Sequence, residues 1–487
     1  MGIRSPSTWI GWEYGPTTVR AWLLAGGFAG LAGGAALRSA AGRPDWVVGW
    51  RSTAAFLVFA GILFLGRNLA GGRATEPRWL LPVQLGLTGF LLYAVFESAT
   101  PGIDIVFGRL PDTILIIYAL LGLAVLADDP RRYSAVHWTI LGCFALFTVI
   151  FFGHSVGISP DSPLSRHPIW GATLLGLWLV VFPRHLPSGL VFWGFSRVAA
   201  VATVLGLAVY VWGPYELYGL QFDFHGSYTI PIVEYEYRAI RSLFVNRNSY
   251  AIVVFGGFVS ALIEYFRRAR GGQSFVRMLM PSAFVVINGV GYFAAFGRAL
   301  WVVGVIPLLV YFAYLDFGRP SVPVTTVFSV GYLAGGIVAL AYAVRHGYVA
   351  GPDSDRYGNW AASIAAIRNN PSVFGEGHIS PTEFIQPWRN GSGPHNSYLS
   401  TWIRFGTVGV TVYAGMIVLA VAHGVRRFRT VDVGALALAV GYAAHQLFES
   451  YTMFRWEFGA AAAALSLGFV AFGEWQWRDE PGRGLPD

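Results

Sequence analysis

Three short polar clusters hold the side chains best suited to chemistry: Asn246-Arg247-Asn248, Gly297-Arg298-Ala299-Leu300-Trp301 and His395-Asn396-Ser397-Tyr398. A guanidinium stays charged and offers a planar fork of donors, which suits a diphosphate. Arg247 and Arg298 could therefore stabilise the charge that grows on a diphosphate leaving group. An imidazole titrates near neutral pH, so His395 could take a proton from an attacking hydroxyl. Asn246, Asn248, Asn396, Tyr398 and Trp301 would support these three. The reaction needs no metal and no cofactor. Each cluster also has a plain structural reading: arginines at helix ends snorkel to an interface, and an asparagine before a helix is commonly a cap. The case for a site rests on all three sharing one face.

Whether they do depends on the elements that carry them. The chain has 487 residues, 55% hydrophobic and 12% charged, and its mean hydropathy is +0.52. Soluble domains carry roughly 25% charged residues, so this composition excludes large aqueous domains. The 60 glycines and 18 tryptophans fit close helix packing and interfacial aromatic belts. Every basic side chain except histidine is arginine, and the net charge of +8 is accounted for by cytoplasmic loops and anionic lipid without nucleic acid. The single cysteine, Cys143, excludes an internal disulfide and a cysteine-built metal site.

The expected fold is all-α: a polytopic transmembrane bundle of twelve to fourteen spans, with a large outer-face loop containing short helices. Spans are read near 19–40, 47–66, 79–99, 112–127, 135–153, 168–183, 188–212, 249–266, 278–296, 299–316, 323–344, 398–423, 432–449 and 457–473. The first is long enough to cross, so no cleavable leader is expected. No strand alternation competes with this reading, and only helices or closed barrels span bilayers. With alternating spans, four arginine-rich loops fall on one side: Arg67/Arg73/Arg78, Arg131/Arg132, Arg267/Arg268/Arg270/Arg277 and Arg426/Arg427/Arg429. That side is cytoplasmic, which puts both termini inside and all three clusters outside. The organisation expected is N-terminal spans over 1–212, a first outer loop over 213–247, spans over 248–344, a large outer loop over 345–397, and C-terminal spans with a cytoplasmic tail over 398–487. Within the large loop, Trp360–Ile367 reads as a short amphipathic helix leading into the turn NNPSVFGEG. Arg197 and His445 fall within or near spans, where buried pairing is expected of each.

The segment Asp355–Gly377 (DRYGNWAASIAAIRNNPSVFGEG) followed by His395–Gly409 (HNSYLSTWIRFGTVG) resembles the signature of the O-antigen ligase and polymerase superfamily. In that family an Arg-aromatic-x-x-Trp start, here Arg356 to Trp360, leads through Asn-Pro and Gly-x-Gly turns into a His-Asn-x-Tyr-Leu motif, with glycines in the next helix. The Asn246–Asn248 and Arg298–Trp301 clusters are similar to its two upstream marks. The resemblance covers roughly residues 240–410. It implies that Arg247 and Arg298 hold a polyprenyl diphosphate and that His395 activates or positions an acceptor hydroxyl, with Arg356 in support. One departure matters. Members often carry an acidic residue where this chain has Arg404, leaving Glu376, Glu383 or Glu449 as possible substitutes.

The function expected is a membrane glycosyltransferase, either polymerase or ligase. It would transfer an oligosaccharide or polysaccharide from an undecaprenyl-type diphosphate carrier to a glycan, lipid or protein acceptor. It would work at the periplasmic or extracellular face of the cytoplasmic membrane. The alternative from another class is a transporter or flippase of lipid-linked sugars. That reading predicts internal repeats and polar midplane helices, whereas here the polar clusters stand at helix ends. Asp353-Ser354-Asp355 imitates a metal-binding Asp-x-Asp motif but reads as a turn or helix start.

Overall fold

The computed structural model describes residues 133–155, 175–181, 183, 188–217, 220–230, 235–244, 246–270, 274–295, 297–316, 355–377, 380–389, 393–428, 430–451 and 458–473. The four spans expected before residue 130 and the one at 323–344 lie outside them, as do residues 168–174 of the span expected at 168–183. The described helices are α1 (Ala135–Ser155), α2 (Ser188–Trp212), α3 (Arg247–Arg270), α4 (Phe275–Ala294), α5 (Arg298–Val303), α6 (Val305–Asp316), α7 (Asp355–Asn369), α8 (Pro381–Ile385), α9 (Ser397–Arg426), α10 (Val433–His445) and α11 (Phe458–Phe472), with a π-helical turn at Leu177–Val181. Within α2, α3, α4 and α9 are stretches long and apolar enough to cross a membrane, and α1, α6, α10 and α11 hold shorter apolar stretches. The chain is a mainly helical, membrane-embedded protein.

Helix α3 is the central post. It packs against α2, α4, α10 and α11, and α10 packs in turn on α6 and α11. Helices α10 and α11 are built largely from alanine, glycine and leucine and are buried along nearly their whole length. Small residues let helix backbones approach closely, which replaces the hydrophobic drive that lipid removes.

Two ion clusters fasten the end of the bundle that lies away from the three motifs. The Asp432 carboxylate accepts from Gly434 N and Ala435 N, capping α10, and also accepts from Ser188 Oγ and the Arg267 guanidinium. One side chain thus ties the starts of α2 and α10 to the far end of α3. Arg197 pairs with Glu264, lies over the rings of Trp193 and Phe284 at 4.9 and 4.3 Å, and shares Glu264 with Arg268. The pairing expected of Arg197 is what the structure shows. His445 likewise stacks on Phe255 with ring centroids 5.7 Å apart and meets Tyr451 Oη at 3.1 Å. Replacing Asp432 by asparagine removes the carboxylate that meets Arg267 and Ser188, while the amide oxygen can still cap α10. With the Arg267 side chain 22% exposed, thermal unfolding of the purified protein should show a loss of about 2 kcal/mol.

Residues 213–247, expected as a plain loop, instead contain a three-stranded antiparallel meander: β1 (Tyr215–Leu217), β2 (Leu220–Ile230) and β3 (Tyr235–Ser242). Phe222 is buried and Tyr215 stacks on it at 4.7 Å. The sheet is fixed to α2 by Tyr215 Oη donating to Leu205 O at 2.5 Å and Ser242 Oγ donating to Ala202 O at 2.7 Å. It is fixed to α4 by Tyr237 Oη donating to Ala294 O at 2.8 Å.

Helix α9 is interrupted at Gly406 (φ 68°), and the segment Ser372–Gly377 fills the break. In a continuous helix Thr407 N and Val408 N would donate to Ile403 O and Arg404 O. Here those two carbonyls accept from Glu376 N and Gly377 N at 2.9 and 2.8 Å, while Thr407 N and Val408 N donate to Ser372 O and Val373 O at 3.2 and 3.1 Å. The turn supplies a partner for each of these four groups. Gly375 (φ 79°) and Gly406 meet backbone to backbone, and a Cβ on either would come within 2.4 Å of main-chain atoms of the other's segment. Gly406→Ala combines a left-handed backbone with a main-chain clash, so it should cost about 3 kcal/mol or more, read as lost thermal stability in detergent. Gly415→Ala in the same helix, where a Cβ meets nothing within 4 Å, should leave stability nearly unchanged.

Candidate active site

The His-Asn-Ser-Tyr motif enters α9 through a cap. Asn396 takes an extended backbone, its Oδ1 accepts from Leu399 N at 3.0 Å, and its Nδ2 donates to Leu447 O at 2.9 Å. Ser397 N donates to Gln446 O at 2.8 Å, and Ser397 Oγ lies 2.7 and 2.6 Å from the carbonyls of Glu449 and Tyr451. Tyr398 Oη donates to Ala443 O at 2.9 Å, and Asn396 N donates to Ser450 Oγ at 3.0 Å. The motif's polar side chains, apart from His395, are thus spent on capping α9 and on the last turn of α10 and the turn that follows it. Their effect is to bring Glu449 against His395.

His395 has φ 45°, the left-handed region that costs a non-glycine residue roughly 1 kcal/mol. Its Nδ1 is 3.6 Å from Glu449 Oε2, and Arg356 Nη2 donates to Glu449 Oε1 at 2.5 Å. Glu449 is buried, with Arg356 and His395 partly open around it. Burial by itself would raise the Glu449 carboxyl. The Arg356 charge and the His395 contact outweigh that and hold it below its ordinary value. The arrangement is a carboxylate anchored by a cation on one side and facing an imidazole on the other. It can orient the ring and stabilise an imidazolium formed by proton uptake.

The three carboxylates named beside Arg404 have different surroundings. Glu383 is spent on the box capping α8, Glu376 enters the α9 break through its backbone, and Glu449 is the carboxylate that faces His395. Arg356 is delivered by α7, which extends the expected amphipathic segment to residues 355–369. On its inner face Ala366 and Ile367 pack with Ile385 and Ile403, Ser363 is buried, and Asn359 Nδ2 donates to Gly393 O at 3.2 Å.

The other two clusters stand at the same end of the bundle. Arg247 is the first residue of α3 and is buried, while Asn246 Oδ1 accepts from Ser249 N at 2.9 Å as a cap. Asn248 sits half-buried in the first turn. Arg298 opens α5, and the preceding Gly297 packs so closely on α3 that a Cβ there would lie 3.3 Å from Ala251 Cβ, one turn from Arg247. Helix α10 runs antiparallel to α3, from Asp432 beside Arg267 to His445 against Phe255. The turn carrying Glu449 therefore continues towards the Arg247 end. Trp301 lies 5.9 Å from Phe293 and packs into the core beside the α4–α5 corner, a structural role. Among the described residues no group of three histidine, cysteine or acidic side chains is placed to hold a metal. Comparison with protein-family models and with curated proteins finds no match to this chain.

Proposed function

We propose that the protein is a metal-independent glycosyltransferase of the O-antigen ligase and polymerase type. It would transfer a glycan from a polyprenyl diphosphate carrier to an acceptor hydroxyl at the outer face of the cytoplasmic membrane. The observation that carries this reading is the Arg356–Glu449–His395 cluster, set at the bundle end that also carries Arg247 and the Arg298 helix start. In the proposed step the acceptor oxygen attacks the anomeric carbon and gives its proton to His395. The bond from that carbon to the diphosphate oxygen breaks. Polyprenyl diphosphate leaves with both electrons of that bond, and its charge is met by Arg247 and Arg298. Glu449 keeps the imidazole oriented and balances its positive charge. One base and one clamp on the leaving group suffice for a single inverting displacement.

The test is the product pattern of a strain lacking the gene. Single repeats on the acceptor identify a polymerase, and long glycans stranded on the lipid carrier identify a ligase. Single repeats stranded on the cytoplasmic leaflet would mean a flippase and would overturn the reading.

A further inference from the structure

The turn that fills the α9 break also exposes apolar side chains in an unusual place. Val373 and Phe374 are 58% and 56% exposed, although their carbonyls are held by Val408 N and by the His154 ring, whose Nε2 lies 2.5 Å from Phe374 O. Two helices fix the depth of this tip. At one end of the α1–α9 pair, the rings of His137 and His423 meet at 5.2 Å, beside Arg426 and Arg427. At the other end stand His154 on α1 and Gly406 on α9. On each helix the separation is seventeen residues, about 26 Å, which nearly matches the roughly 30 Å hydrocarbon core. Between these levels both helices show apolar or self-satisfied side chains outward: Val149 on α1, Val418 on α9, and Thr411, whose hydroxyl bonds back to Thr407 O at 2.7 Å. The exposed tip adjoins that flank through the Ser372–Thr407 and Val373–Val408 hydrogen bonds. Beyond it the surface turns polar at once, with Asn369, Asn370 and Arg368 exposed.

We infer that Pro371–Phe374 is a membrane-seated tip, with the side chains of Val373 and Phe374 lodged in the lipid at the hydrocarbon boundary on the His395 side. Its partner is the bilayer. Arg368, exposed in the last turn of α7, stands at the level of lipid phosphates. Because the tip is bonded into the α9 break and continuous with α7, it sets the height of both elements that build the site. A further consequence rests on the proposed function. The nine residues from Ser397 to Phe405 raise the His395 end by about 13 Å above the break. That is about 6 Å beyond a polar headgroup layer of roughly 6–7 Å, where a sugar carried on a lipid diphosphate would stand.

The seat is tested without any activity assay, so it stands or falls separately from the transferase reading. In full-length protein with its one cysteine removed (Cys143→Ser), Val373→Cys and Phe374→Cys are spin-labelled in nanodiscs of phosphatidylethanolamine and phosphatidylglycerol. Val418→Cys marks lipid and Thr382→Cys marks water. The expected result is that labels at 373 and 374 collide with dissolved oxygen more than with a polar nickel chelate, as at 418, with chelate collisions several-fold below those at 382. Chelate access at 374 equal to that at 382 overturns the inference. Unmodified protein supplies the arm free of substitutions. With a phospholipid bearing a diazirine near the glycerol, photo-adducts are expected on the 371–377 peptide, and adducts confined to the long helices overturn it.

Discussion

His395→Asn should fold as well as the native chain and yet lose about 10² to 10⁴ of the transfer rate, the usual contribution of a positioned general base. Asparagine tolerates the left-handed backbone that this position adopts, so the substitution removes basicity without adding strain. The two readouts therefore separate. Thermal unfolding should move by less than about 1 kcal/mol, while glycan transfer from a lipid-linked donor in proteoliposomes should nearly vanish. Full-length product from a properly inserted variant would remove His395 from the mechanism. A fall in rate matched by an equal fall in stability would assign the residue to the fold instead.

Glu449→Gln carries the second large effect, because one carboxylate serves both the cation and the imidazole. The substituted amide cannot balance an imidazolium and leaves the Arg356 charge without its partner. A lowered kcat of about a hundredfold is expected, less than the loss of a fully buried orienting carboxylate because the site is partly open. Breaking a fully buried pair costs about 3–5 kcal/mol; with the Arg356 side chain 20% exposed, about 2 kcal/mol is the better expectation. The variant also has a pH signature. The folded protein holds the Glu449 carboxyl below its ordinary value, so its contribution is fully present above an unfolded value near 4.5. It is lost as the pH falls through the depressed folded value. Native protein should lose stability over that acidic interval, and the glutamine variant should lose less, when melting temperatures are followed from neutral pH down to about 3. Identical profiles would mean that Glu449 carries no charge in the folded state.

These expectations depend on a residue that no motif marks. Glu449 is 54 positions from His395, and in the chain it is one of several acids flanking the C-terminal spans. It reaches the site because Asn396, Ser397 and Tyr398 spend polar groups on the last turn of α10 and the turn after it. Those hydrogen bonds give each of the three side chains after His395 a partner on the end of α10 or on the turn that follows it. The cap is legible in sequence, because Asn followed by a helical apolar pattern is a local signal. The identity of the carboxylate is not, because ion pairing is decided by which helix ends converge.

The strands of residues 215–242 fall between these cases. The alternation of Leu220, Phe222 and Phe224 with Gln221, Asp223 and His225 is a strand signal. Beside spans of twenty residues, however, a hydropathy reading averages it into a polar loop. The break in α9 is similar. Gly406 looks like one more packing glycine until Gly375 is found against its backbone.

The sequence by itself determined that this is a membrane-embedded, mainly helical protein. Burial of long apolar segments follows from composition and length alone, since lipid leaves the backbone few ways to satisfy its hydrogen bonds. It also marked Arg247, Arg298 and His395 as polar groups at helix ends. Tertiary structure decided what stands beside them: Glu449 facing His395, Arg356 delivered by α7, and a turn threaded into the α9 break. Each of these depends on contacts between segments far apart in the chain. Their geometry is set by how helix ends meet in space, which periodicity and residue type do not encode.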